Sequence, residues 1–281
     1  MPSSDRRELL ERLERYYDTV PRAGARTEDV GPFTLFVSTG TFPFYARPRL
    51  GLETTVVPQD VAEVVARQRA LGIPVALEWV VETTPSLTPA ARAAGLHVQE
   101  LPLLMLDRAL EVPVPPGVTI RRVAADEPDL EPIMAVAAVS FENGGTSVGE
   151  PGPAERDALA ASSTADRTRL RERIASGAVV MMVAEDMDGP VASGVHQPVG
   201  DTTEVVGVAT LPLARRRGLG AAVTAALVAN ATASALDLVF LSAASDDVAR
   251  IYERLGFRRV AQAGIADAPA PDPAGSDASP G

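Results

Sequence analysis

The sequence has 281 residues, 46% of them hydrophobic, which allows one large domain or two domains of ordinary size with a substantial core. It contains no cysteine and two histidines, which excludes disulfides and thiol catalysis and argues against a metal site built by the protein. The formal net charge of −11 argues against non-specific nucleic-acid binding and is compatible with a cationic, amine-bearing partner.

The N-terminal region predicts a protein that is neither exported nor embedded in a membrane. The first twenty residues are charged and helical in pattern, so we expect no signal peptide. Because the chain also has no long apolar segment, we expect no membrane span and a cytoplasmic location.

The first hundred residues alternate between helical and strand patterns. In order, the spacing of apolar residues predicts a helix over 5–17, a strand over 33–37, a helix over 61–71, a strand over 76–81, a short helix over 86–94, and a strand or pair of strands over 96–106. Residues 109–117 contain three prolines and cannot form a helix, so they predict a linker. We therefore expect an N-terminal domain over 1–108 and a second domain from residue 118.

The second domain begins with the same mixture of elements. Its pattern predicts a strand over 118–123, a helix over 129–140, a Gly- and Pro-rich loop over 141–155, a helix over 166–176, and strands over 179–184, 191–198 and 202–211. His196 alternates along its strand, and a single histidine in such a place is more often structural than catalytic.

The segment from Val208 to Ala231 carries the most informative pattern. An apolar strand ends in three arginines and two glycines, Arg215-Arg216-Arg217-Gly218-Leu219-Gly220, and an alanine-rich stretch with high helix propensity follows. The glycines allow close approach of the backbone to a ligand, and a helix start presents unpaired N–H groups and the positive end of its dipole. This segment predicts a strand, a pyrophosphate cradle and a helix.

Three other interpretations of these six residues are considered: a dinucleotide-binding fingerprint, a P-loop and an ordinary helix start. A dinucleotide-binding fingerprint would place a glycine directly after the strand, and a P-loop would require a lysine, which the sequence lacks. An ordinary helix start with surface arginines explains the motif nearly as well as a binding site does.

A second motif, Tyr252-Glu253-Arg254-Leu255-Gly256-Phe257, follows at the end of a predicted helix over 246–255. Together with Arg-x-x-Gly-x-Gly and the strand before it, this motif resembles the GNAT acetyltransferase superfamily over roughly 117–263. The resemblance implies an α+β (α/β) GNAT fold, with a mixed central β-sheet flanked by helices, and acetyl-CoA as co-substrate. It implies no metal.

The resemblance also assigns roles to single residues. Glu204 would be the general base, although an exposed edge-strand acid and a water chain are open alternatives. Tyr252 would give a proton to the departing coenzyme A thiolate, and the alternative is a core tyrosine with a tethered hydroxyl. Gly207 would mark a bulge that opens a slot for the pantetheine arm, where a main-chain N–H near Val208 would hold the thioester oxygen. The expected cofactor contacts are Val208, Ala209, Thr210, Arg215, Arg216, Arg217, Gly218, Leu219, Gly220, Ala221 and Ser245.

Two further residues border the acceptor site in the resembling family. Glu142 and Asn143 are weak candidates for acceptor contact, and solvated loop residues are the simpler interpretation. Ser245 stands where the family often has asparagine, which leaves its contact with the cofactor open.

These features predict an acyltransferase: an acetyl-CoA-dependent N-acetyltransferase that moves the acetyl group directly to a primary amine in a ternary complex. The acceptor would be a small molecule or a peptide, no nucleic acid or membrane is expected as a partner, and a homodimer is left open. A non-catalytic acyl-CoA-binding regulator and a structural partner protein are the alternatives.

The N-terminal domain resembles a smaller, degenerate copy of the second. An offset of 161 residues aligns Gly95 with Gly256 and the strand 77–80 with 238–241, although chance similarity between two αβ units is an alternative. The chemistry is not repeated, because Ala91 replaces the tyrosine and residues 54–59 contain no glycine or arginine. We therefore expect a tandem arrangement with one acetyl-CoA per chain, bound in a catalytic GNAT domain over 118–266, and a disordered tail over 267–281.

Overall fold

The computed structural model describes residues 3–40 and 44–269, which form two compact units. Unit 1 runs to Leu101 and also contains residues 261–269, while unit 2 runs from Pro102 to Val260. Both limits fall inside strands, at residues 101–102 and 260–261. The domain limits predicted from the sequence remain a prediction. Residues 109–117, the predicted linker, contain no helix or strand and lie in unit 2. The predicted tail lies outside the described residues from residue 270 onwards.

The elements are numbered here in chain order. The helices are α1 (Ser3–Thr19), α2 (Pro58–Ala70), α3 (Leu87–Ala93), α4 (Leu130–Glu142), α5 (Pro153–Ser162), α6 (Thr168–Ala175), α7 (Leu219–Ala233) and α8 (Asp246–Glu253). The strands are β1 (Ala25–Val30), β2 (Phe33–Ser38), β3 (Ala46–Pro48), β4 (Ala76–Val80), β5 (His97–Leu106), β6 (Thr119–Arg122), β7 (Val180–Asp186), β8 (Gly189–Val199), β9 (Thr202–Thr210), β10 (Leu238–Ser242) and β11 (Phe257–Asp267). Short 3₁₀ turns occupy Val20–Ala23 and Pro212–Ala214.

Unit 1 is built on a mixed sheet in which β1, β2 and β3 are antiparallel and β3 runs parallel to β4. The strand beside β4 comes from the other end of the sequence, since the last part of β11 pairs antiparallel with it, from Ala263 opposite Val80 to Asp267 opposite Ala76. The apolar residues of α2 recur at helical spacing and pack with those of β4 in one core that includes Val61, Val64, Val65, Leu77 and Trp79.

Unit 2 contains a longer mixed sheet. β6, β7, β8 and β9 are antiparallel neighbours, β9 runs parallel to β10 through the crossover helix α7, and β10 pairs antiparallel with the end of β5. Alternate residues of β7 point to opposite faces. Val180, Met182 and Ala184 pack in the same core as α7, whereas Met181 and Val183 pack in the core that contains Ile133 of α4 and Ile174 of α6.

A buried histidine links three elements of unit 2. The ring of His196 in β8 contacts Thr203 Oγ1 in β9 at 2.9 Å and Asn230 Oδ1 in α7 at 3.0 Å. Burial lowers the pKa of this histidine, so its neutral form holds α7 against the sheet. No helix in the described ranges has the length and apolar character that a membrane crossing requires.

Candidate active site

The parallel strands β9 and β10 separate at the centre of unit 2. Their register runs from Leu238 opposite Thr202 to Phe240 opposite Glu204 and then ends, while β9 continues to Thr210 and β10 to Ser242. The remaining part of β9 pairs with β8 on its other side. The sheet therefore opens at the carboxyl ends of two parallel strands, where α/β proteins commonly bind ligands.

A bulge in β9 lies within this opening. Val206 pairs with Val195 and Ala209 with Ser193, so β9 contains one more residue than β8 in this stretch. Gly207, within the bulge, has a φ of +65°, a left-handed conformation that glycine adopts without steric cost. The predicted interruption at Gly207 is thus a bulge that re-aims the main chain of Val208 and Ala209.

The Arg-Gly turn leads from β9 into α7. Its helix begins at Leu219, and the residue before it, Gly218, has a φ of +81° and no side chain to accept hydrogen bonds from the first-turn N–H groups. A Cβ atom built at Gly220 would lie 3.5 Å from Thr210 Oγ1 and 3.9 Å from Val208 Cγ1, which are ordinary contacts. The start of α7 can therefore accept an anion at the N–H groups of Leu219, Gly220 and Ala221.

The first arginine of the turn, Arg215, is used within the protein. Its guanidinium donates to the carbonyl oxygens of Ser140 at 3.1 Å, Asn143 at 2.6 Å and Ser147 at 3.2 Å, and its Nε donates to Thr210 O at 3.3 Å. Burial lowers its pKa from the usual value. Arg215 thus fixes the loop after α4 beside the cradle, a role that the sequence pattern did not reveal.

The other two arginines differ from Arg215 and from each other. Arg217 forms a 2.9 Å ion pair with Asp186 at the end of β7. Arg216 is exposed, has a φ of +66°, and forms no ion pair or side-chain hydrogen bond in the part of the chain that the structure describes. A non-glycine residue in this conformation is uncommon and often occurs at functional sites. Of the three, Arg216 has its charge available for a ligand.

Tyr252 lies on α8 and packs against the main core of unit 2, with its ring edge-on to Phe257 at a centroid distance of 6.0 Å. Its hydroxyl forms no hydrogen bond among the described residues, so nothing tethers it. Burial raises the pKa of Tyr252 to about 12, which keeps the phenol protonated at neutral pH. The side chain can therefore act as a hydrogen-bond donor.

Ser245 is the N-cap of α8. Its Oγ accepts a hydrogen bond from the main-chain N–H of Val248 at 3.3 Å. The structure thus gives this predicted cofactor contact a capping role, and its hydroxyl keeps one proton and one lone pair for a ligand.

Glu204 is half-buried at the last position where β9 and β10 still pair. Its cross-strand neighbours are Gln197 in β8 and Phe240 in β10, which share its face of the sheet. Ser242 lies two residues beyond Phe240 on that same face, and its buried Oγ has no hydrogen-bond partner among the described residues. Ser242 could not be predicted as a site residue, because a serine at the end of a strand carries no local signal.

The loop after α4 contains the two weak acceptor candidates. Asn143 caps α4, where its Nδ2 donates to Val139 O at 2.9 Å, and Glu142 is exposed. The same region presents exposed apolar side chains at Phe141 and Val148. Among the described residues, no cluster of three or more His, Cys, Asp or Glu side chains is arranged to hold a metal ion.

Comparison with known proteins agrees with this geometry. Residues 177–259, which contain β7 to β10 and the cradle, match the family model described as an acetyltransferase (GNAT) domain. No curated protein gives a match. This part of unit 2 is a GNAT domain, and the resemblance of the sequence to the GNAT superfamily is confirmed.

Solved structures extend the likeness to most of the chain. A GCN5-related N-acetyltransferase from Kribbella flavida is 23% identical, with a TM-score of 0.68 over 94% of this chain and 97% of that one. A tandem GNAT protein from the clavulanic acid biosynthesis pathway is 14% identical, with a TM-score of 0.51 over 85% of this chain and 79% of that one. These matches confirm the predicted fold class, a mixed sheet flanked by helices.

Proposed function

We propose that this protein is an acetyl-CoA-dependent N-acetyltransferase that acetylates a primary amine by direct transfer. The observation that carries the proposal is the coincidence of two features: β9 leaves β10 after Glu204, and α7 begins beside the end of β9 with an open first turn. This arrangement offers a slot for an extended chain and an anion site at its end. Acetyl-CoA has that combination of groups.

The anion site would hold the pyrophosphate. We assign it to the N–H groups of Leu219, Gly220 and Ala221, because hydrogen-bond donors and a helix dipole converge there. Arg216 would add a charge from the exposed side. Arg215 and Arg217 act indirectly, since their guanidiniums hold the loop after α4 and Asp186.

The slot would hold the pantetheine arm. The arm contains two amides, which can pair with main-chain groups of β9 as an added strand would. Val208 and Ala209 are the preferred partners in this proposal. Thr210 has less capacity to pair with the arm, because its carbonyl oxygen already accepts a hydrogen bond from Arg215.

The reaction requires the amine to lose a proton before it attacks the thioester carbon. Glu204 stands where the strands part and would accept that proton. The C–N bond would form first, and a main-chain N–H near Val208 would stabilise the oxygen of the tetrahedral intermediate before the C–S bond breaks and coenzyme A leaves. Tyr252 would donate a hydrogen bond to the departing sulfur. Its pKa of about 12 favours hydrogen bonding over complete proton transfer to a thiolate.

The acceptor is proposed to be a cationic amine carried by a small molecule or a peptide. The net charge of −11 favours encounter with a cation. Ser242 on the Glu204 face is an additional polar group that could contact it. We propose that the reaction takes place in the cytoplasm.

Release of free coenzyme A from acetyl-CoA in the presence of a panel of primary amines tests the proposal. We expect amine-dependent release, with a mass increase of one acetyl group on the amine. Tight binding of acetyl-CoA without turnover of any amine would favour a non-catalytic acyl-CoA-binding regulator. Failure to bind acetyl-CoA would contradict both functions.

A further inference from the structure

A pocket of about 510 Å³ lies within unit 1, between α1, the chain after β3 and the turn after β4. Its wall includes Leu10 and Arg15 from α1, Arg49 after β3, and Thr83 and Thr84 after β4. This volume is in the range of pockets that bind small metabolites.

The pocket lies at the carboxyl ends of two parallel strands. β3 runs parallel to β4, with Ala46 opposite Leu77, and both strands end where the pocket begins. In unit 2 the corresponding place is the opening between β9 and β10. Ligands bind at such strand ends in open α/β sheets, so the position itself is suited to a ligand.

Glu14 and Thr83, which line the floor of the pocket, belong to a polar network with the buried Arg47 behind them. Glu14 accepts a hydrogen bond of 2.5 Å from Nη2 of Arg47 and another of 2.5 Å from Thr83 Oγ1. The Arg47 side chain is 1% exposed and lies over the ring of Tyr17 at 5.4 Å. Both oxygens of Glu14 are therefore occupied, and its charge is balanced by a buried guanidinium.

The rim has positive charge without close partners. Arg15 is exposed and forms no ion pair within the described ranges, and Arg49 reaches only Asp29, at 4.0 Å. The acid Glu82, by contrast, accepts a hydrogen bond from the main-chain N–H of Gln262 at 3.0 Å and lies 3.7 Å from Arg6. Arg7 and Glu11, which also line the pocket, lie 3.8 Å apart and balance each other, so the unbalanced charge that faces the pocket comes from Arg15 and Arg49.

We propose that unit 1 has its own binding site for a small organic anion, a carboxylate or a phosphate ester, recognised by Arg15 and Arg49 above the Glu14–Arg47 floor. We exclude coenzyme A as the ligand of this site because the first turn of α2, the helix after β3, already contains an acid. Asp60 Oδ2 accepts a hydrogen bond from the main-chain N–H of Val57 at 2.9 Å and would repel a pyrophosphate. The hydroxyls of Thr83 and Thr84 would contact the uncharged part of the anion.

The test is calorimetric titration of the full-length protein, at low salt, with citrate, with inorganic phosphate and with spermidine as a cationic probe. We expect saturable binding of citrate or phosphate and none of spermidine in this pocket. Preference for citrate would indicate a carboxylate ligand, and preference for phosphate a phosphate ester. Arg15→Ala combined with Arg49→Ala should weaken anion binding at least about 10-fold, since charge-assisted hydrogen bonds are lost.

The matched control is Arg69→Ala, which removes an exposed arginine of unit 1 outside the pocket. This control should bind the anion as the parent does. Leu10→Trp, which fills the pocket, should abolish binding, and acetyl-CoA binding should be unchanged in every variant. Equal anion affinity in the double variant and the parent, binding of spermidine alone, or no binding of any probe would overturn the proposal.

Discussion

The helices α2 of unit 1 and α7 of unit 2 follow the first of two parallel strands, but their first turns are capped differently. The offset of 161 residues takes Val57, the N-cap of α2, to Gly218, the N-cap of α7, and it takes Asp60 to Ala221. In α2 the Asp60 carboxylate bonds back to the N–H of Val57, and Pro58 has no N–H to offer. In α7 the same positions hold glycine, leucine and alanine. The first turn of α2 therefore has its N-cap amide satisfied by an acid, whereas the first turn of α7 has no acid and keeps its N–H groups open.

The strands that precede these two helices also differ, in length and in regularity. β9 has nine residues with a bulge at Gly207, while β3 has three, Ala46–Pro48. β9 therefore continues beyond its pairing with β10 and β3 offers no comparable length of main chain, which is why the proposed pantetheine slot is assigned to unit 2. Unit 1 instead keeps a pocket at its strand ends, with arginines on the rim. If both proposals hold, the two units carry two different kinds of binding site.

The largest expected effect comes from the hydroxyl of Tyr252, which stands where unit 1 has Ala91. Tyr252→Phe should lower kcat by about 10²- to 10³-fold, the usual cost of removing one hydrogen-bond donor to charge that develops in the transition state. Because the hydroxyl makes no hydrogen bond among the described residues, Tm should stay unchanged. Steady-state kinetics and a melting curve measure the two quantities. An unaltered kcat, measured where chemistry is rate-limiting, would make Tyr252 a core residue like Ala91.

The next effect is a pH dependence of stability that arises from Glu78 in unit 1. Burial raises the pKa of Glu78 on β4 to about 7, although Arg47 opposes the shift. Between pH 4.5 and pH 7 the folded state then holds a proton that the unfolded state has released, so stability should fall as the pH rises through this window. By linkage, the loss should approach about 3 kcal/mol above pH 7.

Glu78→Gln should remove this loss, and the measurement is Tm against pH. The variant should melt near the parent at pH 4.5 and above it at pH 8. A parent and variant with parallel profiles would show that Glu78 does not titrate in this window.

Converting the start of α7 to that of α2 should damage cofactor binding. Ala221→Asp places a carboxylate where Asp60 stands in α2, so acetyl-CoA affinity should fall about 10- to 100-fold through repulsion and competition for the first-turn N–H groups. Tm should rise slightly, because an acid suits a helix N-terminus. Ala221→Asn, of similar size and without charge, is the control. Calorimetry separates the outcomes, and equal affinity in the Asp and Asn variants would place the pyrophosphate elsewhere.

The smallest effect distinguishes the arginines of the cradle. Arg216→Asn should weaken acetyl-CoA binding about 5-fold, because a free charge is lost while asparagine tolerates the left-handed backbone. Arg217→Asn should change affinity less, since Arg217 is already paired with Asp186. Affinities measured at two salt concentrations check this, and a reversed order would assign the ligand contact to Arg217.

Local patterns in the sequence predicted the strand, turn and helix of the cradle and the interruption at Gly207, because glycine and helix propensity act through neighbouring residues. The edge strand β1 was missed because its sequence, ARTEDV, is polar and lacks the apolar alternation of a half-buried strand. The helix α5 was missed because Gly152 and Pro153 indicated a loop. They form a helix start, in which Glu155 accepts from the N–H of Gly152 at 2.7 Å.

The division of labour among the three arginines could not be predicted. It depends on Asp186 and on carbonyl oxygens of residues 140–147, which lie far away in the sequence. Likewise, nothing in the local pattern of β11 indicates that its last part pairs with β4.

That pairing has a consequence for how the protein is made on the ribosome. Val80 is synthesised about 180 residues before its partner Ala263, which at the usual 5–20 residues per second is an interval on the order of 10–40 s. Throughout that interval the nascent chain carries β4 with one edge open, and open strand edges invite pairing with other chains. We therefore expect chaperone supply during synthesis to raise the yield of folded protein.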